Sequence, residues 1–372
     1  MFLALREMRH SKARYSLIMV IMLLVSFLVL FVTGLARGLA YANISAVENM
    51  PANYFAVQKD ADHTFRRSQL NETELAAVRS VAGNQNAAPL AVQMSTITAD
   101  QADVKADITF FAVDMDGMLA PKVSQGNGIT NETQGSVIAD SKLKESGVTL
   151  GSSIKDQASG LTFKVAGFTK DSSYSHTPVV YINTLDWKAM RQGTGQSGRV
   201  AEAVPYNVIA LKATSAQVSE IMGRLDNVEV ITQNQAIASI PGYSAEQNSL
   251  LMMIVFLFVI AAFVLAVFFY VITIQKTSQF GILKAMGTKM SYLAWSVVGQ
   301  VLILSVASLA VSLLLTLGMN MGLPDSMPFQ LEGRTILLTC VLFVGMSLLG
   351  SLISVARVAK VDALEAIGRA GA

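Results

Sequence analysis

Charge, histidine and cysteine are all scarce in this chain. Of 372 residues only 15% are charged, while 52% are hydrophobic, with three histidines and one cysteine. So little charge beside so much apolar content excludes an ordinary soluble domain and places the chain in the membrane class. The lone Cys340 excludes an intrachain disulfide and a cysteine metal cluster, although it does not exclude an oxidising compartment. No G-x-x-x-x-G-K-[ST] run occurs, and Lys276-Thr277 lacks the glycines that would cradle phosphates, so any nucleotide energy must come from another chain. There is no G-x-S-x-G elbow either. A net charge of +2 is too small to imply a nucleic-acid partner.

The remaining charges are segregated. Tyr15–Arg37, Leu250–Ile274, Tyr292–Gly322 and Thr335–Ala356 have charge-free interiors. Each is long enough to cross a hydrocarbon core of ~30 Å as a helix. Arg6, Arg9, Lys12 and Arg14 precede the first run, Lys276, Lys284 and Lys289 lie between the second and third, and Arg357, Lys360 and Arg369 follow the fourth. The positive-inside bias makes these segments cytoplasmic, both termini included. The loop 323-LPDSMPFQLEGRT-335, with Asp325, Glu332 and Arg334, falls outside.

The expected organisation is a cytoplasmic segment 1–14, spans 15–40, 247–275, 291–322 and 335–357, an extracytoplasmic domain 41–246, a cytoplasmic segment 276–290, an outer loop 323–334 and a tail 358–372. The basic start, apolar run and 40-AYA-42 imitate a cleavable secretory signal, but the run exceeds the usual h-region, which favours a retained anchor. Gly34 and Gly38, four apart, suit a close helix–helix approach, although glycine is also simply common in such helices.

Residues 41–246 are polar and carry strand-like stretches at 90–99, 107–114, 161–168 and 178–184. Leu161, Phe163 and Val165 alternate there with Thr162 and Lys164. Helical patterns occupy 70–83, 184–193 and 214–225. The expected fold is therefore a membrane α-helical protein of four transmembrane helices with an inserted α+β domain. His10, His63 and His176 are far apart, with His10 across the membrane from the others, so a zinc cluster has little support. The triplets at Asn43, Asn71 and Asn131 match the glycosylation pattern but arise readily by chance. The second to fourth runs contain no Asp, Glu, Lys, Arg or His, which argues against a proton-coupled pump.

The cytoplasmic stretch 280-FGILKAMGTKMSY-292 places Phe280, Leu283 and Met286 at i, i+3 and i+6, with Lys284 beside them and Gly281 and Gly287 near the ends. Such a stripe suits either a groove on a partner or the lipid headgroup layer. The stretch resembles the E-x-G-ILKA-x-G motif that follows the second span in FtsX-like permeases, the MacB-type membrane subunits of mechanotransmitting ABC systems. The order of spans is similar to theirs, as are 139-ADSKLKESGVTLGSSIKDQASGLTFKVAGF-168 and the tail 357-RVAKVDALEAIGRA-370. Gln279 and Ala363 depart from that pattern at the acidic and proline positions. The resemblance implies that Phe280, Gly281, Leu283, Lys284, Met286 and Gly287 form a coupling helix. It also implies pairing of two permeases with two ATPase chains, which would hold the ATP and Mg.

The junction 239-SIPGYSAEQNSLLMM-253 is similar to that of Gram-positive haem-exporting permeases. Ser244 and Gln247 have capping-box spacing, and Glu246 suits a helix N-terminus, so a purely structural role stays open. The functional reading puts Tyr243 and Glu246 at the outer surface as oxygen donors to haem iron, with Met252 and Met253 below among apolar residues and Tyr41, Glu48 and Met50 at a similar depth. Haem is then a substrate, and no cofactor of the chain's own is expected. Control of an extracytoplasmic hydrolase or sensor kinase, or efflux of drugs or peptides, are the other expectations within the family. An enzyme is disfavoured by the lack of a nucleophile–base constellation.

Overall fold

Nine α-helices are found among the described residues, numbered in chain order: α1 (Lys12–Glu48), α2 (Glu72–Ala82), α3 (Thr184–Gly193), α4 (Ser215–Arg224), α5 (Gln233–Ala238), α6 (Tyr243–Gln275), α7 (Thr277–Ala285), α8 (Met290–Asn320) and α9 (Gly333–Val358). The computed structural model describes residues 12–99, 104–193, 206–323 and 327–358. Arg6, Arg9, His10, Asp325, Lys360, Ala363 and Arg369 lie outside the described residues, as do the side chains of Arg14 and Arg357. Two units are distinguished: residues up to Gly38 together with those from Asn248 onward, and Leu39–Gln247.

In the first unit α1, α6, α8 and α9 are each long and apolar enough to cross a membrane. Tyr15, Met22 and Leu30 of α1 pack with Leu265 and Phe269 of α6, Val301 and Leu304 of α8 and Phe343 of α9. On α8 the buried Ser305, Ser308, Ser312 and Thr316 follow helical spacing along one face. Ser312 pairs with the Ser26 hydroxyl and donates to the Leu23 carbonyl at 2.9 Å. Small hydroxyl side chains let helices approach closely and bond across the contact without a charge. Gly34 and Gly38 serve a different approach from the one their spacing suggests. A Cβ on Gly38 would lie 2.1 Å from the Pro328 carbonyl oxygen, and one on Gly34 would meet the Phe329 ring at 2.7 Å. It is the loop after α8, not another helix, that fills their notch, and the Gln330 amide donates to the Gly34 carbonyl at 3.1 Å.

The second unit is an α+β domain built on a mixed sheet. From edge to edge its strands are Val228–Thr232, Tyr54–Gln58, Val208–Leu211, Ala87–Ala99, Val104–Val113, Thr177–Ile182, Ser136–Asp140, Thr162–Thr169 and Gln125–Gly126. Two pairings are parallel, Val104–Val113 with Thr177–Ile182 and Ser136–Asp140 with Thr162–Thr169. Leu75, Val78 and Ala82 of α2 and Ile221 of α4 cover Ala56, Ile209 and Leu211, while Trp187 and Met190 of α3 pack with Phe110 and Phe163. The three triplet asparagines have structural roles: Asn43 is buried, Asn71 caps α2 in a reciprocal capping box with Glu74, and Asn131 bonds Asp114 and Asp116.

Helix α1 runs past the expected end of its span to Glu48. Residues 41–48 contain no proline or glycine, and Ile44, Ala46 and Val47 join the core of the second unit with Phe55, Phe65 and Tyr174. Helix α6 begins at Tyr243, immediately after Gly242 turns the chain with a φ of +81°. The Ser244–Gln247 capping box therefore does not form. Ser244 is already helical, and its hydroxyl donates to the Ala238 carbonyl at 2.8 Å.

Candidate functional site

Glu246 lies in the first turn of α6, where a carboxylate complements the helix dipole. Its Oε2 accepts from Asn43 Nδ2 and contacts His176 Nε2, each at 2.9 Å, and Nδ2 and Nε2 are 3.1 Å apart. With its proton on Nε2, the imidazole donates to the carboxylate, so both bonds end on one oxygen of Glu246. Asn43 is 1% exposed, and its Oδ1 is buried without a hydrogen-bond partner among the described residues.

His176 reaches this place because Ser173–Tyr174 and Thr177–Ile182 form a hairpin whose two linking residues, Ser175 and His176, have φ of +51° and +63°. Positive φ at both central positions matches the twist of such a turn and is unfavourable for these side chains, so the surroundings must hold it. They do so through the Ser175 amide, bonded to the Asn43 carbonyl at 2.9 Å, and the Ser173 amide, bonded to Ser45 Oγ at 2.8 Å. In the sequence His176 stood only as one of three scattered histidines, since its partners are 70 and 133 positions away.

The other expected donors are placed separately. Tyr41 and Met50 line a cavity of about 450 Å³ with Met118, Lys122, Lys170 and Tyr181, and Tyr41 Oη accepts from Asn49 Nδ2 at 2.8 Å. Burial pushes the Tyr181 phenol up to about 12, against a smaller opposing effect of its bond to Ser172. Burial likewise raises the Asp140 carboxyl, although the amides of Lys142 and Ser172 pull it down. Glu48 ends α1, and its carbonyl accepts from Gln233 Nε2 at 3.1 Å. Tyr243 packs on the domain core. Met252 and Met253 belong to the other unit, where they are exposed on α6. Among the described residues no group of three or more His, Cys, Asp or Glu side chains is arranged to hold a metal ion.

The segment between α6 and α8 also differs from a simple stripe. Phe280 is buried against Val297 of α8 and Val355 of α9, with Leu283 packed beside it, so these two face the helices of their own unit. Ile282 is 50% and Met286 68% exposed. Helix α7 ends at Ala285, and the Gly287 and Thr288 amides bond the carbonyls of Lys284 and Leu283, each at 3.0 Å. This is a Schellman end, and Gly287 supplies the left-handed residue it needs with a φ of +87°. Breaking the helix there separates Met286 from the inward face. Lys276, the first residue of the expected basic segment 276–290, is buried at the α6–α7 junction.

Residues 251–363 match the family described as FtsX-like permease C-terminal. A relative named as a hemin transport system permease, HrtB, of Staphylococcus haemolyticus is 32% identical over 368 residues, 99% of each chain, and its namesake in Staphylococcus epidermidis is 31% identical over the same length. An uncharacterised ABC transporter permease of Mycobacterium tuberculosis, Rv0072, is 23% identical over 370 residues, 99% of each chain. Among solved structures, the extracellular domain of the transporter YknZ aligns at a TM-score of 0.35 and 17% identity, covering 48% of this chain and 98% of that one. The protein is thus a multi-pass membrane protein, the permease subunit of an ABC transporter, with a large domain inserted between its first and second membrane helices. It belongs to the FtsX-like permease family.

Proposed function

We propose that this chain is the permease of an exporter that removes haem from the membrane, driven by ATP hydrolysis on a separate ATPase. The observation that carries the reading is the 32% identity to HrtB across 99% of both chains. Glu246 supports it: Asn43 and His176 engage one carboxylate oxygen, which orients the group as outer partners orient a metal ligand. Tyr243 would be the alternative oxygen donor to ferric iron. Tyr41, Glu48 and Met50, grouped apart from Glu246 in the same unit, would offer further oxygen and thioether donors to haem. Two copies of the chain would work with two ATPase chains that hold ATP and Mg, and the exposed face of α7 would meet the ATPase.

Glu246→Ala is expected to remove the Soret absorption of haem from purified protein and to sensitise cells to haem. Tyr243→Phe would show whether the phenol shares the ligation. Normal haem absorption and resistance in both variants would overturn the site, and wild-type protein that neither binds haem nor protects cells would overturn the cargo. Import in place of export would appear as protection of cells when the gene is removed.

The orientation proposed here has both termini, and the α6–α7–α8 turn, in the cytoplasm. With Cys340 replaced by alanine, an impermeant thiol reagent applied to intact cells is expected to label Met327→Cys and to spare Lys289→Cys. Equal labelling of the two would overturn it.

A further inference from the structure

A buried ammonium stands at the α6–α7 junction. Lys276 is 2% exposed, and its Nζ donates to Tyr15 Oη at 2.7 Å and to Gln300 Oε1 at 3.0 Å. Tyr15 Oη in turn donates to Gln300 Oε1 at 2.9 Å, and Nζ lies 5.3 Å from the Tyr15 ring centre. Three helices meet here: α1 through Tyr15, α8 through Gln300, and the α6–α7 break through Lys276. Taking an ammonium out of water costs several kcal/mol unless it is fully bonded, and a methionine of similar length would fill the space without that cost. Ionisable groups kept among membrane helices are most often functional.

The backbone of Lys276 explains what the side chain can do. With φ −96° and ψ −1°, it falls between the last residue of α6 and the first of α7, and its carbonyl accepts from the Phe280 amide at 2.9 Å. Its amide in turn donates to the Thr273 carbonyl of α6 at 3.2 Å, so the main chain links α6 to α7 while the ammonium is held by α1 and α8. Phe280 makes the apolar counterpart of this link, to Val297 of α8 and Val355 of α9. Ser354 Oγ adds a bond from α9 to the Phe269 carbonyl of α6 at 3.0 Å. We infer that Lys276 is a positioning residue, the joint through which displacement of α7 reaches the first and third membrane helices. This rests on the reading of α7 as the segment that meets the ATPase.

The test uses the full chain with its ATPase in lipid nanodiscs, with a bimane fluorophore attached through Leu17→Cys in a Cys340→Ala background. Leu17 is 61% exposed on α1, two residues from Tyr15. Trapping with ATP and vanadate is expected to shift the emission in this parent. Lys276→Met is expected to abolish the shift and to lower haem export in proteoliposomes about tenfold or more, while ATP hydrolysis stays within about twofold. Lys276→Arg is expected to restore both. A persisting shift in Lys276→Met, hydrolysis that falls in step with export, or a parent silent at Leu17 during turnover would each overturn the joint. If Lys276→Met does not assemble, Tyr15→Phe and Gln300→Met each remove one arm at nearly constant volume and are judged by the same outcomes. A parent that responds at Leu17 but exports no haem overturns the cargo reading and leaves the joint standing.

Discussion

Gly38→Val is expected to lower the stability of the membrane unit by about 1–3 kcal/mol or more, the range for overpacking a filled site. The atoms that a Cβ would meet are the Pro328 oxygen at 2.1 Å, the Pro328 carbonyl carbon at 2.3 Å and the Phe329 nitrogen at 2.5 Å. All three are backbone, so no side-chain rotation relieves the clash and the loop itself must move. Displacing that loop would also strain the Gln330–Gly34 hydrogen bond, the Arg37–Glu332 ion pair at 3.3 Å and the stacking of Phe31 on Phe329. Gly34→Ala is the matched control, because its nearest neighbours are ring and methyl atoms that can rotate or shift. Thermal melting in detergent should place Gly38→Val well below Gly34→Ala and both below wild type. A Gly38→Val protein melting with wild type would show that the loop does not occupy the notch.

Aspartates at Ile282 and Met286 are expected to uncouple the ATPase from the permease while leaving the fold intact. These two side chains make up the exposed apolar face at the end of α7, whereas Leu283 on the same short helix packs on Phe280. A charge at Leu283 would damage the bundle and confuse loss of coupling with loss of folding. Truncating an anchor at the centre of a protein interface commonly costs about 2 kcal/mol or more, which weakens association about thirtyfold. The double variant Ile282→Asp with Met286→Asp should insert and melt normally yet fail to copurify with the ATPase and fail to support export. Full copurification and export would return this face to the lipid headgroup layer.

Much of this architecture could be read from one-dimensional signals, because the bilayer imposes its demands locally. A helix that crosses hydrocarbon must be continuously apolar and must leave its basic residues on one side, so the four spans and the basic turn at Lys276–Lys289 stand out in the chain. Strand alternation around Phe163 and the motif around Gly281 are local in the same sense. The parallel pairings of the inserted domain were not legible, since they join residues as distant as Thr109 and Val179 through no short turn.

The meeting of groups remote in sequence belongs to the tertiary structure alone. Asn43 and Glu246 are 203 positions apart, Tyr15 and Gln300 are 285 apart, and Gly38 meets Pro328 from the other end of the chain. In each case the residue type carries no signal by itself. An asparagine in a glycosylation triplet proves to be a buried partner of a carboxylate, a lysine in a basic turn proves to be a buried crosslink, and a glycine pair spaced for helix packing admits a loop. The sequence by itself determined the membrane class, the order of the spans and the family motif, because these follow from composition and period along the chain. Which polar side chains meet, and which face of α7 is open, was decided only when packing closed loops of a hundred residues and more, a step that hydropathy does not encode.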